Sequence, residues 1–259
     1  MVSRRHVVAG MAGLPLAGYA AGLAGPGFAQ DQEDAMPADI VTTAAGDLAI
    51  HPVDHASLVL AWDGRAIYVD PVGGAERYAG LPAATAVLIT HGHGDHFDVP
   101  TLEAVAAGLP ILANQDVFDK LPEALKAKAT ALANGESGEL DGVPLRAIAA
   151  HNITEDRLRY HPVGVGNGYV LSFGDVEVYV AGDTEPTEDM LALTDIDVAV
   201  LPMNLPYTMT PEQAAEAINT FRPAIVYPYH YGDSDLSVLE TAVEDGIEVR
   251  LRNWYPNGG

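Results

Sequence analysis

The chain has 259 residues, of which 36 are acidic and 13 are Lys or Arg, for a formal charge of −23, and it contains no cysteine. That balance excludes partners that need basic patches to release counterions, namely nucleic acids and anionic membranes. The missing cysteines exclude a disulfide scaffold, a cysteine nucleophile, an iron–sulfur cluster and a thiolate zinc site, so any metal must be held by His, Asp and Glu.

Met1–Ala29 reads as an export signal. Ser3-Arg4-Arg5 supplies a charged start with a twin-arginine pair, Val7–Leu23 is mildly apolar and rich in Ala and Gly, and Gly27-Phe28-Ala29 offers small residues before a cut at Gln30. His6-Val7-Val8 lacks the Phe usual after the pair, and the glycines and prolines between Gly10 and Gly25 make a poor spanning helix. Losing Arg4 and Arg5 leaves 11 basic residues against 36 acidic ones, a mature charge of about −25. The expectation is a periplasmic or exported protein with no stable membrane association once the signal is removed. Gln30–Asp39 is a polar lead-in expected to be poorly ordered. Residues 30–259 read as one domain.

Strand-like runs follow at Ser57–Ala61, Ala66–Val69, Ala86–Thr90, Ile111–Ala113, Leu145–Ala149, Gly168–Ser172, Val176–Ala181, Val198–Leu201, Ala224–Tyr227 and Ile247–Leu251, mostly closed by Gly, Pro or Asp. Helices are expected at Pro100–Ala107, at the Ala- and Lys-rich Pro122–Leu132, and at Pro211–Phe221. The last begins with a capping box from Thr210 and Gln213, and Ala214, Ile218 and Phe221 fall on one face. Strands arrive first as a hairpin-like group and later alternate with helices, which indicates an α/β fold with mixed sheets rather than a Rossmann sheet.

The strand Ala86–Thr90 runs directly into His91-Gly92-His93-Gly94-Asp95-His96, four potential ligands within six residues. Glycine spacing lets the backbone fold tightly around an ion, and such a loop can serve two metals. His151, Asp183 and His230 each stand just past a strand end, as His91 does, so neighbouring strands can present them on one rim. Taken singly, each could equally be a turn residue.

The run His91-x-His93-x-Asp95-His96, followed by His151, Gly182-Asp183 and His230, resembles the metallo-β-lactamase-fold metallohydrolases, most of all the branch containing the ascorbate-phosphate lactonase. The likeness extends from Asp47 to Trp254. It implies a four-layer αβ/βα sandwich with a metal site on one edge. His91, His93 and His151 would hold one divalent ion, Asp95, His96 and His230 a second, and Asp183 would bridge them. Zinc is the expected metal, and manganese or iron suit the same donors. His161 is the alternative to His151, or else a substrate-binding or turn residue. The absent cysteine disfavours antibiotic hydrolysis, and His93 stands where the flavin-partnered di-iron relatives carry Glu, which disfavours a redox role.

The reaction expected of such a site is attack by a metal-activated water on a small-molecule ester or lactone, with Asp95 moving the proton. Tyr207 is a candidate oxyanion donor, with a packed tyrosine as the alternative. Asp70 is a candidate for orienting a ligand imidazole, with an ordinary turn as its alternative. His55 and Asn204 are rim candidates. A phosphodiesterase or phospholipase-type activity would need Arg157, Arg159 or Arg222 near the site. A non-catalytic metal-binding protein is the reading from outside enzymology.

Overall fold

The computed structural model describes residues 38–256, so the export reading lies outside the described residues. Two seven-stranded sheets dominate. The first runs, in order, β1 (Asp39–Thr43), β2 (Gly46–Asp54), β3 (Ser57–Trp62), β4 (Arg65–Val69), β5 (Ala86–Leu88), β6 (Ile111–Ala113) and β7 (Ala129–Ala131). The second contains β8 (Ser137–Leu140), β9 (Val143–Ala149), β10 (Asn167–Phe173), β11 (Val176–Val180), β12 (Val198–Pro202), β13 (Ile225–Tyr229) and β14 (Glu248–Val249), also in chain order. In each sheet the first four strands pair antiparallel and the last four parallel, the fourth strand belonging to both sets.

Side-chain alternation sorts the layers. Leu58 and Leu60, Ile67 and Val69, and Val178, Val180, Val198 and Val200 face a core between the sheets. The alternate residues Val59, Tyr68 and Val87 pack under α1 (Val99–Val105), α2 (Gln115–Lys120) and α3 (Glu123–Lys126). Tyr179, Ala199, Leu201 and Val226 pack under α4 (Glu188–Leu191), α5 (Pro211–Phe221) and α6 (Ser237–Ala242). Strands buried on both faces explain the continuous apolar runs. The result is the expected four-layer αβ/βα sandwich.

The capping box of α5 is present as read, with both Thr210 and Gln213 bonds made. The helix expected over Pro122–Leu132 is not: it stops at Lys126, and Ala129–Ala131 adds β7 to the edge of the first sheet beside β6. Pairing with an open sheet edge outweighs the high helix propensity of Ala and Lys, which is worth only tenths of a kcal/mol per residue. The lead-in also ends earlier than expected, because Asp39 begins β1 and accepts a bidentate bond from Arg252 at 2.6 and 2.9 Å.

Strand direction positions the chemistry. The C-terminal ends of β4, β5, β11, β12 and β13 point to one edge and are followed by Asp70, His91, Asp183, Asn204 and His230. The turn between β2 and β3 brings His55 to the same edge, where the His230 N–H donates to the His55 carbonyl at 3.0 Å. There the Asn167 N–H also donates to the Thr90 carbonyl at 3.0 Å, tying the sheets together. Gly182, just before Asp183, has φ of 64°. A Cβ at Gly182 would lie 2.9 Å from the Asn167 carbonyl oxygen, so both conformation and space require glycine.

Candidate metal centre

Asp70 anchors the centre. It is fully buried and accepts three bonds: from the Thr90 N–H at 2.7 Å, the Thr90 hydroxyl at 2.6 Å and His96 Nδ1 at 2.7 Å. The Thr90 hydroxyl in turn faces His91 Nδ1 at 3.1 Å, and His161 Nδ1 donates to the Tyr207 carbonyl at 3.0 Å. With Nδ1 engaged, His91, His96 and His161 each turn Nε2 inward, the arrangement that fixes tautomer and ring direction in metal-ligating histidines.

The inward nitrogens converge on Asp183. His161 Nε2 lies 3.2 Å and His230 Nε2 3.4 Å from Oδ2, His96 Nε2 lies 3.3 Å from Oδ1, and His91 Nε2 lies 3.9 Å from Oδ2. His91 Nε2 and His93 Nδ1 are 3.1 Å apart. Asp95 Oδ2 faces His230 at 3.3 Å, His55 at 3.4 Å and His96 at 4.0 Å. Three donor sets are compact enough to hold an ion: His91, His93 and His161; His55, Asp95 and His230; and His91, His96 and Asp183.

The donors fit a metal on a further observation. His96 Nε2, His161 Nε2 and Asp183 Oδ1 are buried and make no hydrogen bond, although 3.3 Å separates the first and last. Groups so placed are costly unless something else satisfies them. Electrostatics agree. Burial, then His96, pushes His91 well below its ordinary imidazole value, and burial, then His161, lowers His93. Burial acts against the charge on His96 too, but Asp183 and Asp70 outweigh it and hold that ring well above the usual value. Burial would raise Asp95 and Asp183, yet bonds from His230 and His55 to the former, and the charges of His230 and His96 on the latter, hold both well below the carboxylate range. The centre favours positive charge, whether carried by a proton or by a metal.

One expected ligand stands apart from the others. His151 turns its Nδ1 to the carbonyl of Asn152 at 3.0 Å and belongs to none of the three donor sets, whereas His161 completes the set with His91 and His93. His151 contributes through its backbone, which exchanges bonds with Thr184 beside Asp183. His55 is closer to the centre than its sequence context suggests: its Nδ1 meets the Tyr255 hydroxyl at 2.9 Å and its ring lies 3.8 Å from that of His230. His55, Asp70 and His230 all have positive φ, at 49°, 45° and 44°, conformations that side chains rarely adopt and that cluster at functional sites.

A cavity of about 390 Å³ opens over the centre, lined by His55, His93, Asp95, Tyr160, His161, Asp183, Asn204, Tyr207 and His230. Tyr160 is new to the site, its ring packing edge-on against Tyr207 at 5.0 Å. Arg157 is withdrawn into an ion pair with buried Glu185 at 2.7 Å, and Arg222 pairs with Glu244.

Two mixed sheets sandwiched between helices, with a His/Asp cluster at the strand ends, define the metallo-β-lactamase fold. Residues 49–230 match the family profile described as the beta-lactamase superfamily domain. A UPF0173 metal-dependent hydrolase of Thermococcus onnurineus is 33% identical over 213 residues, covering 75% of this chain and 92% of its own. A crystal structure from Parabacteroides distasonis, provisionally described as a metal-dependent hydrolase, superposes with a TM-score of 0.76 at 42% identity, covering 83% of this chain and 97% of that one. The metallo-β-lactamase-fold protein YhfI of Bacillus subtilis shares the fold, with a TM-score of 0.62 at 16% identity over 82% of this chain and 90% of its own. The chain belongs to the metallo-β-lactamase superfamily and, within it, to the UPF0173 metal-dependent hydrolases.

Proposed function

We propose that the protein is a dinuclear hydrolase of small neutral or weakly charged esters and lactones. The observation that carries this reading is the cavity over the donor cluster, whose nine lining residues include histidines, tyrosines, Asn204 and two carboxylates but no Lys or Arg. Two divalent ions would offset Asp95 and Asp183, but beyond them the cavity wall offers no Lys or Arg to hold a substrate rich in negative charge. His91, His93 and His161 would hold one ion, Asp95, His96 and His230 the other, with Asp183 between them and His55 behind Asp95.

Divalent ions in such a donor set lower the pKa of water from about 15.7 towards ~7 and polarise the oxygen of an electrophile. The side chains supply the rest. Asp95 is exposed to the cavity, where its carboxylate can take a proton from the attacking water and return it to the leaving oxygen. The Tyr207 hydroxyl and Asn204 amide supply donors to an oxygen where negative charge develops.

A phosphodiester reading draws on one observation, an adjoining recess of about 240 Å³ lined in part by Lys120 and Arg159. Lys120 is already paired with Asp116 at 2.7 Å and Arg159 lies over the Tyr160 ring, which favours the ester reading. The test is elemental analysis of protein from its native host, with two divalent ions per chain and zinc foremost expected, followed by ester, lactone and phosphodiester substrates. Turnover confined to phosphodiesters would overturn the proposal, and an intact metal centre without turnover of any substrate would favour a binding role. Export is proposed from the N-terminal pattern alone, and a mass beginning at Gln30 in the exported protein would support it.

A further inference from the structure

We infer that the substrate carries an apolar acyl or alkyl chain, which leaves the cavity across a hydrophobic rim formed by Val163, Leu205 and Tyr207. This inference rests on the ester and lactone reading above and names the class of substrate within it.

Among the described residues, seven large hydrophobic side chains are exposed, and five of them fall in two loops. Ile153, Leu158 and Val163 belong to the loop after β9, Leu205 and Tyr207 to the loop after β12. These loops also build the cavity: Tyr160 and His161 come from the first, Asn204 and Tyr207 from the second. Leu205 lies between two lining residues in sequence and Val163 stands two residues after His161. Val163 is 70% and Leu205 46% exposed, so both present apolar surface to solvent within two residues of a side chain that lines the cavity. Apolar side chains clustered at the edge of a pocket mark a binding surface, whereas scattered ones need no explanation.

The rim is built, which makes it suited to binding. The Asn152 amide donates to the Tyr207 carbonyl at 2.7 Å, beside the bond from His161, and so locks the two loops together. Glu185 accepts from the N–H groups of Ile153 and Thr154 at 2.7 and 2.6 Å, and Arg157 reaches from it to the Thr208 carbonyl at 3.1 Å. A chain laid on a surface already held in place does not have to order it first. The occupant follows from charge and size. The chain's net charge of −23 opposes an anionic lipid surface, and the cavity itself is lined by His, Asp, Asn and Tyr, which suit a polar reacting group better than an alkyl tail.

The test is a homologous series of 4-nitrophenyl alkanoates, and of lactones with matching alkyl tails, on the metal-loaded protein. kcat/KM is expected to rise about two- to fourfold per added methylene until the rim is covered, fourfold being the value for full burial. Straight-chain alcohols should inhibit, with Ki falling by a similar factor per methylene. The double variant Val163→Ser, Leu205→Ser should flatten both slopes, its loss growing with chain length. Turnover independent of chain length, or slopes that survive the double variant, would overturn this inference and leave the ester reading standing. No turnover of any ester or lactone would remove both. Sedimentation of a dimer that Val163→Ser dissociates, or capture by neutral vesicles that Leu205→Ser abolishes, would assign the rim to a second copy or a membrane and also overturn it.

Discussion

Asp70 Oδ2 and His96 Nδ1 meet in a hydrogen bond of 2.7 Å from which solvent is excluded. The carboxylate fixes the ring with Nε2 towards Asp183 and raises its basicity, and it holds the Thr90 backbone from which the His91–His96 loop departs. Asp70→Asn should therefore lower metal affinity by about 10- to 100-fold. Competition with a chromophoric chelator measures it, and an affinity equal to that of the native chain would deny Asp70 this role.

The alternative ligands His151 and His161 can be separated by the same measurement. His161→Ala removes a nitrogen from the set with His91 and His93, and should lower the metal content of the purified protein by about one equivalent. His151→Ala leaves the backbone bonds to Thr184 intact and should leave the metal content unchanged. The reverse pattern in elemental analysis would restore His151 as the ligand.

Removing the metals should cost stability as well as activity. Buried His96 Nε2, His161 Nε2 and Asp183 Oδ1 make no hydrogen bond within the protein, so stripping the metal would leave them unsatisfied. A ligand present at about 1,000 times its Kd stabilises the folded state by about 4 kcal/mol. Dialysis against a chelator should lower the thermal midpoint, and adding back zinc should restore it. An unchanged midpoint would mean that the donors satisfy one another without an ion.

The parts of this arrangement legible in the sequence are those set by local pattern. Apolar runs closed by Gly, Pro or Asp mark most strands, and the Thr210–Gln213 box marks α5. The His91–His96 loop is legible because its glycines and ligands lie within six residues. What local pattern leaves open, the choice between His151 and His161 included, is set by contacts distant in sequence. His161 lies in a loop with no regular element, and it points inward because the Tyr207 carbonyl, 46 residues away, takes its Nδ1 proton. His55, Asp70 and His230 hold left-handed backbone that propensity argues against. The turn from α3 into β7 answers to the edge of β6, which no window around Ala129 contains.

Glu185 makes the stability of the rim sensitive to acid. Burial would raise its carboxyl, but bonds from Thr154 and Ile153, with the charge of Arg157, lower it below the ordinary glutamate value. A group depressed in the folded state stabilises fully above its unfolded pKa of about 4.5 and loses that contribution as pH falls through the folded value. The midpoint difference between the native chain and Glu185→Gln should therefore be largest at neutral pH and shrink below about pH 4.5. Thermal melts across that range test this, and a difference constant with pH would show that the ionised form contributes nothing.

Tyr207 offers the site two groups that one substitution separates. Its backbone carbonyl holds His161 and Asn152, while its hydroxyl stands free on the cavity wall. Tyr207→Phe keeps the carbonyl and the ring that packs on Tyr160, so metal content and thermal midpoint should stay as they are. Loss of one oxyanion donor typically costs about 10²–10³ in kcat. A fall of about that size on lactones and esters, with KM little changed, is expected from steady-state kinetics. Unaltered kcat would leave Tyr207 as a wall of the cavity and pass the donor role to the Asn204 amide.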